Sequence, residues 1–308
     1  MTGRYPSHTG VGPDVDRIDW PFGVPAEETF FPELLKESGY QNHMVGKWHL
    51  GACHEKYHPT FRGFDSYIGY LAGGQGYYNQ QHDRNSTCAN QLGKCLGTPD
   101  DDGAYTQNYS SVSFANEAIR IVENHHDKNN SSSPLFLYLA FQSVHNPYDV
   151  PPMDVNATFP EIVDSTRRIY AGMVKMMDDA VRRVVKAFQD QGLWDDTVLI
   201  FTSDNGGIGP GNNYPLRGTK VYNWEGGIKA AAFVRGTNNP DLAPLPIGST
   251  CNALMHATDW FLTIVEGIIV PTKGQQYVPP PPNIPKQRLS LDGYNQWNVL
   301  LGNTNQKT

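Results

Sequence analysis

Basic charge is scarce in this chain, cysteine is rare, and no apolar run approaches the ~20 residues that a membrane-spanning helix needs. Lys and Arg total 24 against 31 Asp and Glu, a net charge of -7, which argues against nucleic acid as a partner because such proteins carry a basic stripe. Charged residues are only 18% of the 308, beside 39% hydrophobic ones, so wholesale disorder is excluded and a sizeable core is available. The opening decapeptide MTGRYPSHTG lacks the charged-then-apolar run of a secretory signal. No internal repeat is present. The length suits one large α/β domain or two modest ones.

The four cysteines are Cys53, Cys88, Cys95 and Cys251. Cys88 and Cys95 bracket the short loop ANQLGK, which either a local disulfide closes or two free thiols flank; spacing allows both. Asparagines in N-x-[ST] sequons stand at Asn85, Asn108, Asn129, Asn130 and Asn156, concentrated in polar stretches. Several sequons beside a closable cysteine loop point to a secretory-pathway, lysosomal or secreted protein.

Two continuous apolar runs, PLFLYLAF (Pro134 to Phe141) and TVLIFTS (Thr197 to Ser203), read as strands buried on both faces of a largely parallel sheet. Between them, Ser165 to Gly192 predicts a long helix with Ile169, Met173, Met177, Val181, Val184 and Phe188 on one stripe. Strand, helix and strand make a βαβ unit, hence an α/β fold. Shorter helices are expected at Phe31 to Ser38, Ser113 to Asn124 and Ala257 to Glu266. The stretch Asp83 to Gln107 reads as an irregular surface excursion, and VPPPPNIP as an extended connection.

Four short motifs carry the chemistry. In FTSDNGG, Asp204 and Asn205 set two oxygen ligands side by side where a strand ends, suited to a hard cation; a plain Asp-Asn-Gly turn is the competing reading. In VGKWHLG, Lys47 and His49 alternate in an extended segment, so both side chains project to one side as an anion clamp and proton-transfer pair. His145 in SVHNPYDVP follows directly on a strand, and Lys220 in PLRGTKVYNWEGGIK lies a short way beyond the Asp204–Asn205 pair. Taken singly, a loop histidine and a surface lysine explain these last two equally well.

Together, and in this order, MTGRYPSHTG, GKWHLG, the histidine after the strand, SDNGG and LRGTK…WEGG resemble the type I sulfatases, most nearly the arylsulfatase B (N-acetylgalactosamine-4-sulfatase)-like branch. The similarity runs on through IYAGMVKMMDDAV, GNNYPLRGTK, HATDWFLTIV and LDGYNQWNVLLG. It fades over Asp83 to Gln107 and the proline-rich stretch. The resemblance implies an α/β, alkaline-phosphatase-like fold: a mixed, largely parallel sheet sandwiched by helices, here incomplete. It further implies a catalytic domain over residues 1–270 lacking its first strand and the start of its nucleophile loop. Residues 271–308 would be a proline-rich connection toward a missing C-terminal subdomain.

By the same resemblance the reaction is sulfate-ester hydrolysis on an aryl sulfate, a sulfated N-acetylgalactosamine or another glycosaminoglycan unit. One Ca²⁺ sits at the site, and a formylglycine nucleophile is made by the formylglycine-generating enzyme from a cysteine in C-x-P-S-R. That cysteine is expected upstream of Met1, and none of the four present stands in such a sequence, so this chain alone is expected to be inactive. Asp204 and Asn205 match metal ligands, and Lys47 and Lys220 match the sulfate-binding lysines. His145 matches the histidine at the leaving group, and His49 the one at the formylglycine hydroxyl. Arg4 matches a structural position that anchors the loop. Two alternatives stay open: a phosphoester hydrolase of the same superfamily, using Ser or Thr and two transition metals, and a non-catalytic glycan-binding glycoprotein.

Overall fold

A computed structural model describes residues 1–12, 21–78, 109–128, 133–153, 155–238, 245–269 and 291–302. In chain order the elements are α1 (Pro6–Thr9), α2 (Phe31–Glu37), β1 (Gln41–Lys47), β2 (Ser66–Tyr70), α3 (Ser110–Lys128), β3 (Leu135–Ala140), α4 (Val155–Thr158) and α5 (Ser165–Asp190). There follow β4 (Leu199–Thr202), α6 (Glu225–Ile228), β5 (Ala232–Arg235), α7 (Asp259–Leu262), which runs into a π-helical turn (Thr263–Ile269), and α8 (Trp297–Leu300).

β1 pairs in parallel with β2 on one side and β3 on the other. Successive residues of β1 point to opposite faces, so Met44 joins Phe30, Trp48 and Phe64 on one side. Val45 joins Tyr70, Phe114 and Ile121 on the other. Helices α3 and α5 pack on that second face, where Ala115 and Ala118 of α3 let Ala180 and Val184 of α5 come close over Leu137 and Leu139. The first face is closed by α2 and α7 through Phe31, Leu35 and Phe261. The result is the expected α/β layering of a parallel sheet between helices.

The long helix forms where its periodicity places it. Asp164 caps it by accepting the Arg167 N–H at 2.7 Å, and it ends before Gly192, which takes φ 69°. Met173 and Val184 are buried as the stripe requires. The βαβ unit is corrected in one respect: β3 and β4 are not hydrogen-bonded to each other, and β4 pairs antiparallel with β5. Each has one strand partner among the described residues, so both are half-buried rather than sealed on two faces.

Residues 291–302 pack back onto the body. The Asp292 carboxylate accepts the Tyr5 N–H at 2.7 Å and meets the His8 ring, and Thr263 Oγ1 accepts the Gln296 N–H at 2.9 Å. Arg4 donates to Glu28 at 2.9 Å and to the His8 carbonyl at 3.2 Å. Cys53 is a half-buried free thiol and Cys251 an exposed one. Cys88, Cys95, Asn85, Asn108, Asn129 and Asn130 lie outside the described residues. Asn156 is exposed on α4, where its side-chain oxygen accepts from Arg168.

Candidate active site

Parallel pairing brings the carboxyl ends of β1, β2 and β3 to one edge, the edge at which open α/β sheets bind ligands. Lys47 is the last residue of β1. Just before it, Gly46 has φ 107°, and a Cβ there would stand 1.9 Å from the Ala140 carbonyl oxygen, so only glycine lets β1 lie against β3 at this point. Beyond Lys47 the chain still follows β2: the Trp48 N–H donates to the Tyr70 carbonyl and the His49 N–H to that of Leu71. His49 itself takes φ 57°. The expectation that Lys47 and His49 alternate along one strand is therefore corrected, because the strand stops at Lys47 and His49 is set by a left-handed turn.

The SDNGG turn and the LRGTK…WEGG run fold as one unit. The Gly206 N–H donates to the Gly227 carbonyl at 2.9 Å, and a Cβ on Gly206 would sit 1.9 Å from the Gly226 oxygen. Asn213 stitches the two together. Its side-chain oxygen accepts the Gly207 N–H at 2.8 Å, and its amide donates to the carbonyls of Gly207 and Gly218 at 2.9 and 3.1 Å. The Lys220 N–H closes the unit on the Gly207 carbonyl.

Electrostatics ties this unit to β1. Burial pushes the Lys47 ammonium below the ordinary lysine range, the Asp204 carboxylate pulls it back up, and Lys220 pushes it down again. Lys47, at the end of β1, thus feels both Asp204 and Lys220 of the turn unit that follows β4. Tyr70, the register partner of Lys47 on β2, feels the same carboxylate. Burial first, and then Asp204, raise its phenol well above the usual value. The Tyr70 hydroxyl is buried with no hydrogen-bond partner among the described residues.

His145 stands in the loop after β3, on the same edge. Its Nδ1 lies 2.8 Å from the Asn146 carbonyl, and Gly74, in the loop after β2, runs beside its ring. Lys47 thus senses Asp204 and Lys220, while His49 and His145 share the edge through topology.

The two residues matched to metal binding fit a hard cation in kind. Asp204 is an exposed carboxylate, and the Asn205 amide nitrogen donates to the Gly206 carbonyl at 3.0 Å, which leaves its oxygen as the ligand atom. They fit only in part by number, since Ca²⁺ takes about six to eight oxygens, and no group of three or more His, Cys, Asp or Glu placed to hold a metal occurs among the described residues. Tyr70, Tyr77, Gln142 and Asn213 were not singled out from sequence. The hydrogen bonds of Tyr77 and Gln142 span tens of residues, whereas those of Asn213 reach only five or six positions, to Gly207 and Gly218.

A family model described as Sulfatase matches residues 1–266. The chain is 34% identical over 309 residues to arylsulfatase J of Mus musculus, covering 97% of this chain and 46% of that protein. It is 31% identical over 225 residues to N-acetylgalactosamine-6-sulfatase of Mus musculus, covering 68% and 40%. It therefore spans about half or less of the length of these curated relatives. Among solved structures, Ps i-CgsB in complex with k-i-k-neocarrahexaose superposes with a TM-score of 0.79 at 29% identity, over 98% of this chain and 64% of that one. No helix among the described residues is long and apolar enough to cross a membrane.

Proposed function

The chain belongs to the sulfatase family, and from that premise we propose that it carries the sulfuryl-binding side of an active site hydrolysing sulfate esters. The observation that carries this reading is that the half-buried Lys47 at the carboxyl edge of the sheet feels both the Asp204 carboxylate and the Lys220 ammonium, while the Lys220 N–H is bonded to the Gly207 carbonyl of the Asp204 turn. A sulfate monoester is a monoanion whose oxygens gain charge as the ester bond breaks, and two ammonium groups in a partly desolvated site are suited to hold it.

Each residue then has a task. Lys47 and Lys220 bind and orient the sulfuryl oxygens. His145 delivers a proton to the departing alkoxide, and His49 holds a proton on the side from which the nucleophile approaches. Asp204 and Asn205 are the residues of this chain that would hold Ca²⁺. When present, formylglycine supplies the attacking hydroxyl and Ca²⁺ offsets charge on a sulfuryl oxygen. Residues 1–270 are the catalytic unit in this reading, and residues 271–308 a connection from it.

A sulfated glycan is the favoured substrate class, supported by the carrageenan-type oligosaccharide named in the complex of the similar Ps i-CgsB. Modification by the formylglycine-generating enzyme and passage through the secretory pathway to a lysosomal or extracellular destination complete the proposal, supported by the sequons. The phosphoester alternative is disfavoured by the family match over residues 1–266.

The test is the full-length gene product, co-expressed with the formylglycine-generating enzyme, on 4-nitrophenyl sulfate and 4-nitrophenyl phosphate. Preferential sulfate-ester hydrolysis, lost by about 100-fold or more in Lys220→Ala and His145→Ala, is the expected result. Preferential phosphate hydrolysis, or full activity in both variants, would contradict it.

A further inference from the structure

We propose that Tyr77 is a positioning residue for His145, acting through a buried polar clamp that fixes which ring nitrogen of the histidine faces the substrate. The proposal rests on the reading of His145 as the proton donor to the leaving group.

Both backbone polar groups of His145 are committed. Its N–H donates to the Gln142 carbonyl at 3.0 Å, and its carbonyl accepts from the Tyr77 hydroxyl at 2.9 Å. Gln142 is held in turn, because the Ser110 hydroxyl donates to its side-chain oxygen at 3.0 Å and its amide donates to the Gln75 carbonyl. Tyr77 stacks on Tyr109 with ring centroids 4.7 Å apart and planes 13° from parallel. The Tyr109 hydroxyl donates to the Asp149 carbonyl at 3.0 Å, so two stacked phenols grip the same loop at positions 145 and 149. Ser111 and Ser143 share a hydroxyl hydrogen bond at 2.6 Å beneath them, and Met173 of α5 backs the pair.

Tyr77, Tyr109, Ser110, Ser111, Gln142 and Gln75 are all buried. Five of these polar side chains, drawn from three separate segments, make the bonds just described, an expensive way to build a core, since each must be satisfied. They converge on the one loop that presents His145. Burial also holds both phenols far above their usual pKa, so they remain hydrogen-bond donors at any pH the protein meets.

The consequence reaches the ring. Nδ1 lies 2.8 Å from the Asn146 carbonyl, and a carbonyl only accepts, so Nδ1 carries the hydrogen. The exchangeable proton of the charged ring is then the one on Nε2. If the Tyr77 hydroxyl is lost, the loop relaxes, the Nδ1–H to Asn146 bond weakens and the tautomers mix.

The experiment uses the ¹⁵N-labelled chain. Long-range ¹H–¹⁵N correlation spectra of the histidine rings, with His145→Gln to assign the signals, should show a single Nδ1–H tautomer for neutral His145 in the wild type. Tyr77→Phe should convert this to a mixture while the far-ultraviolet circular dichroism is retained. In active full-length protein the same variant should lower kcat about 10-fold or more with KM unchanged. A wild-type Nε2–H tautomer, or an unaltered tautomer in Tyr77→Phe, would overturn the proposal. Should Tyr77→Phe not fold, the wild type still decides: a slowly exchanging Tyr77 hydroxyl proton close to His145 is required, and its absence overturns the clamp. Failure of the sulfuryl reading shows separately, as wild-type resonances of Lys47 and Lys220 that ignore added sulfate.

Discussion

The backbone N–H of Lys220 donates to the carbonyl of Gly207 at 3.2 Å, which makes the lysine-bearing run and the Asp204–Asn205 turn one rigid unit. The unit depends on a backbone approach that no side chain permits, with the Gly226 oxygen 1.9 Å from where a Gly206 Cβ would be. Gly206→Ala should therefore separate Lys220 from Lys47 and weaken sulfate binding by about 10-fold or more, equivalent to about 1.4 kcal/mol, as read by calorimetric titration. An unchanged affinity in a folded variant would show that the turn does not set the site.

Lys47 gives the site a pH dependence with a defined sign. Its folded pKa is lowered, chiefly by burial, so it loses its charge at a pH below the ordinary lysine value of about 10.4. Sulfate affinity should fall as pH rises through that lowered value. Between the lowered and the ordinary value the unfolded chain binds the proton that the native chain has released, so stability rises with pH there. Lys47→Arg, whose guanidinium stays charged, should move the alkaline loss of sulfate binding to higher pH, and Lys47→Met should raise the stability at neutral pH in urea denaturation.

Arg62 is a separate test of the scaffold. Its buried guanidinium donates to Glu33 at 3.1 Å, to the Val24 carbonyl at 3.1 Å and to the Glu28 carbonyl at 2.6 Å, and lies 3.9 Å over the Phe30 ring. Arg62→Met leaves three acceptors without their donor, and should cost about 3–5 kcal/mol in chemical denaturation. A loss below about 1 kcal/mol would mean that water replaces the guanidinium.

His58 sets an acid limit. It is buried edge-on to Tyr67, its Nδ1 accepts the Thr60 N–H, and burial pushes its pKa from 6.5 down to about 4. Between these values the unfolded chain holds a proton that the native chain lacks, so stability falls as pH falls from about 6.5 toward about 4. His58→Gln should flatten this part of the profile by up to about 3 kcal/mol. Superimposable profiles for wild type and variant would contradict the assignment.

What the sequence displayed followed the strength of its local signals. Helix α5 was legible because its apolar stripe recurs at three- and four-residue intervals over 26 residues. Strands β1 and β2 carried no such signal. QNHMVGK is mostly polar or glycine, yet it is the central strand of its sheet, and the buried Asn42 amide nitrogen finds acceptors in the carbonyls of Pro32 and Gly63 while its oxygen is left without a partner among the described residues. The runs at 134–141 and 197–203 announced strands correctly but could not announce their partners, since hydrophobicity reports burial and not register. Lys47, Lys220, Asp204 and Asn205 were readable as motifs. The Tyr77 clamp was not, because its hydroxyl reaches a carbonyl 68 residues away.

The most direct test of sulfuryl recognition is titration of inorganic sulfate into the ¹⁵N-labelled chain, in the presence of Ca²⁺. The account predicts that resonances of Lys47, His49, His145, Asn205 and Lys220 shift together along one saturating curve, and that Lys47→Met and Lys220→Met each abolish it. Shifts confined to other surfaces, or independent responses of these five residues, would contradict it.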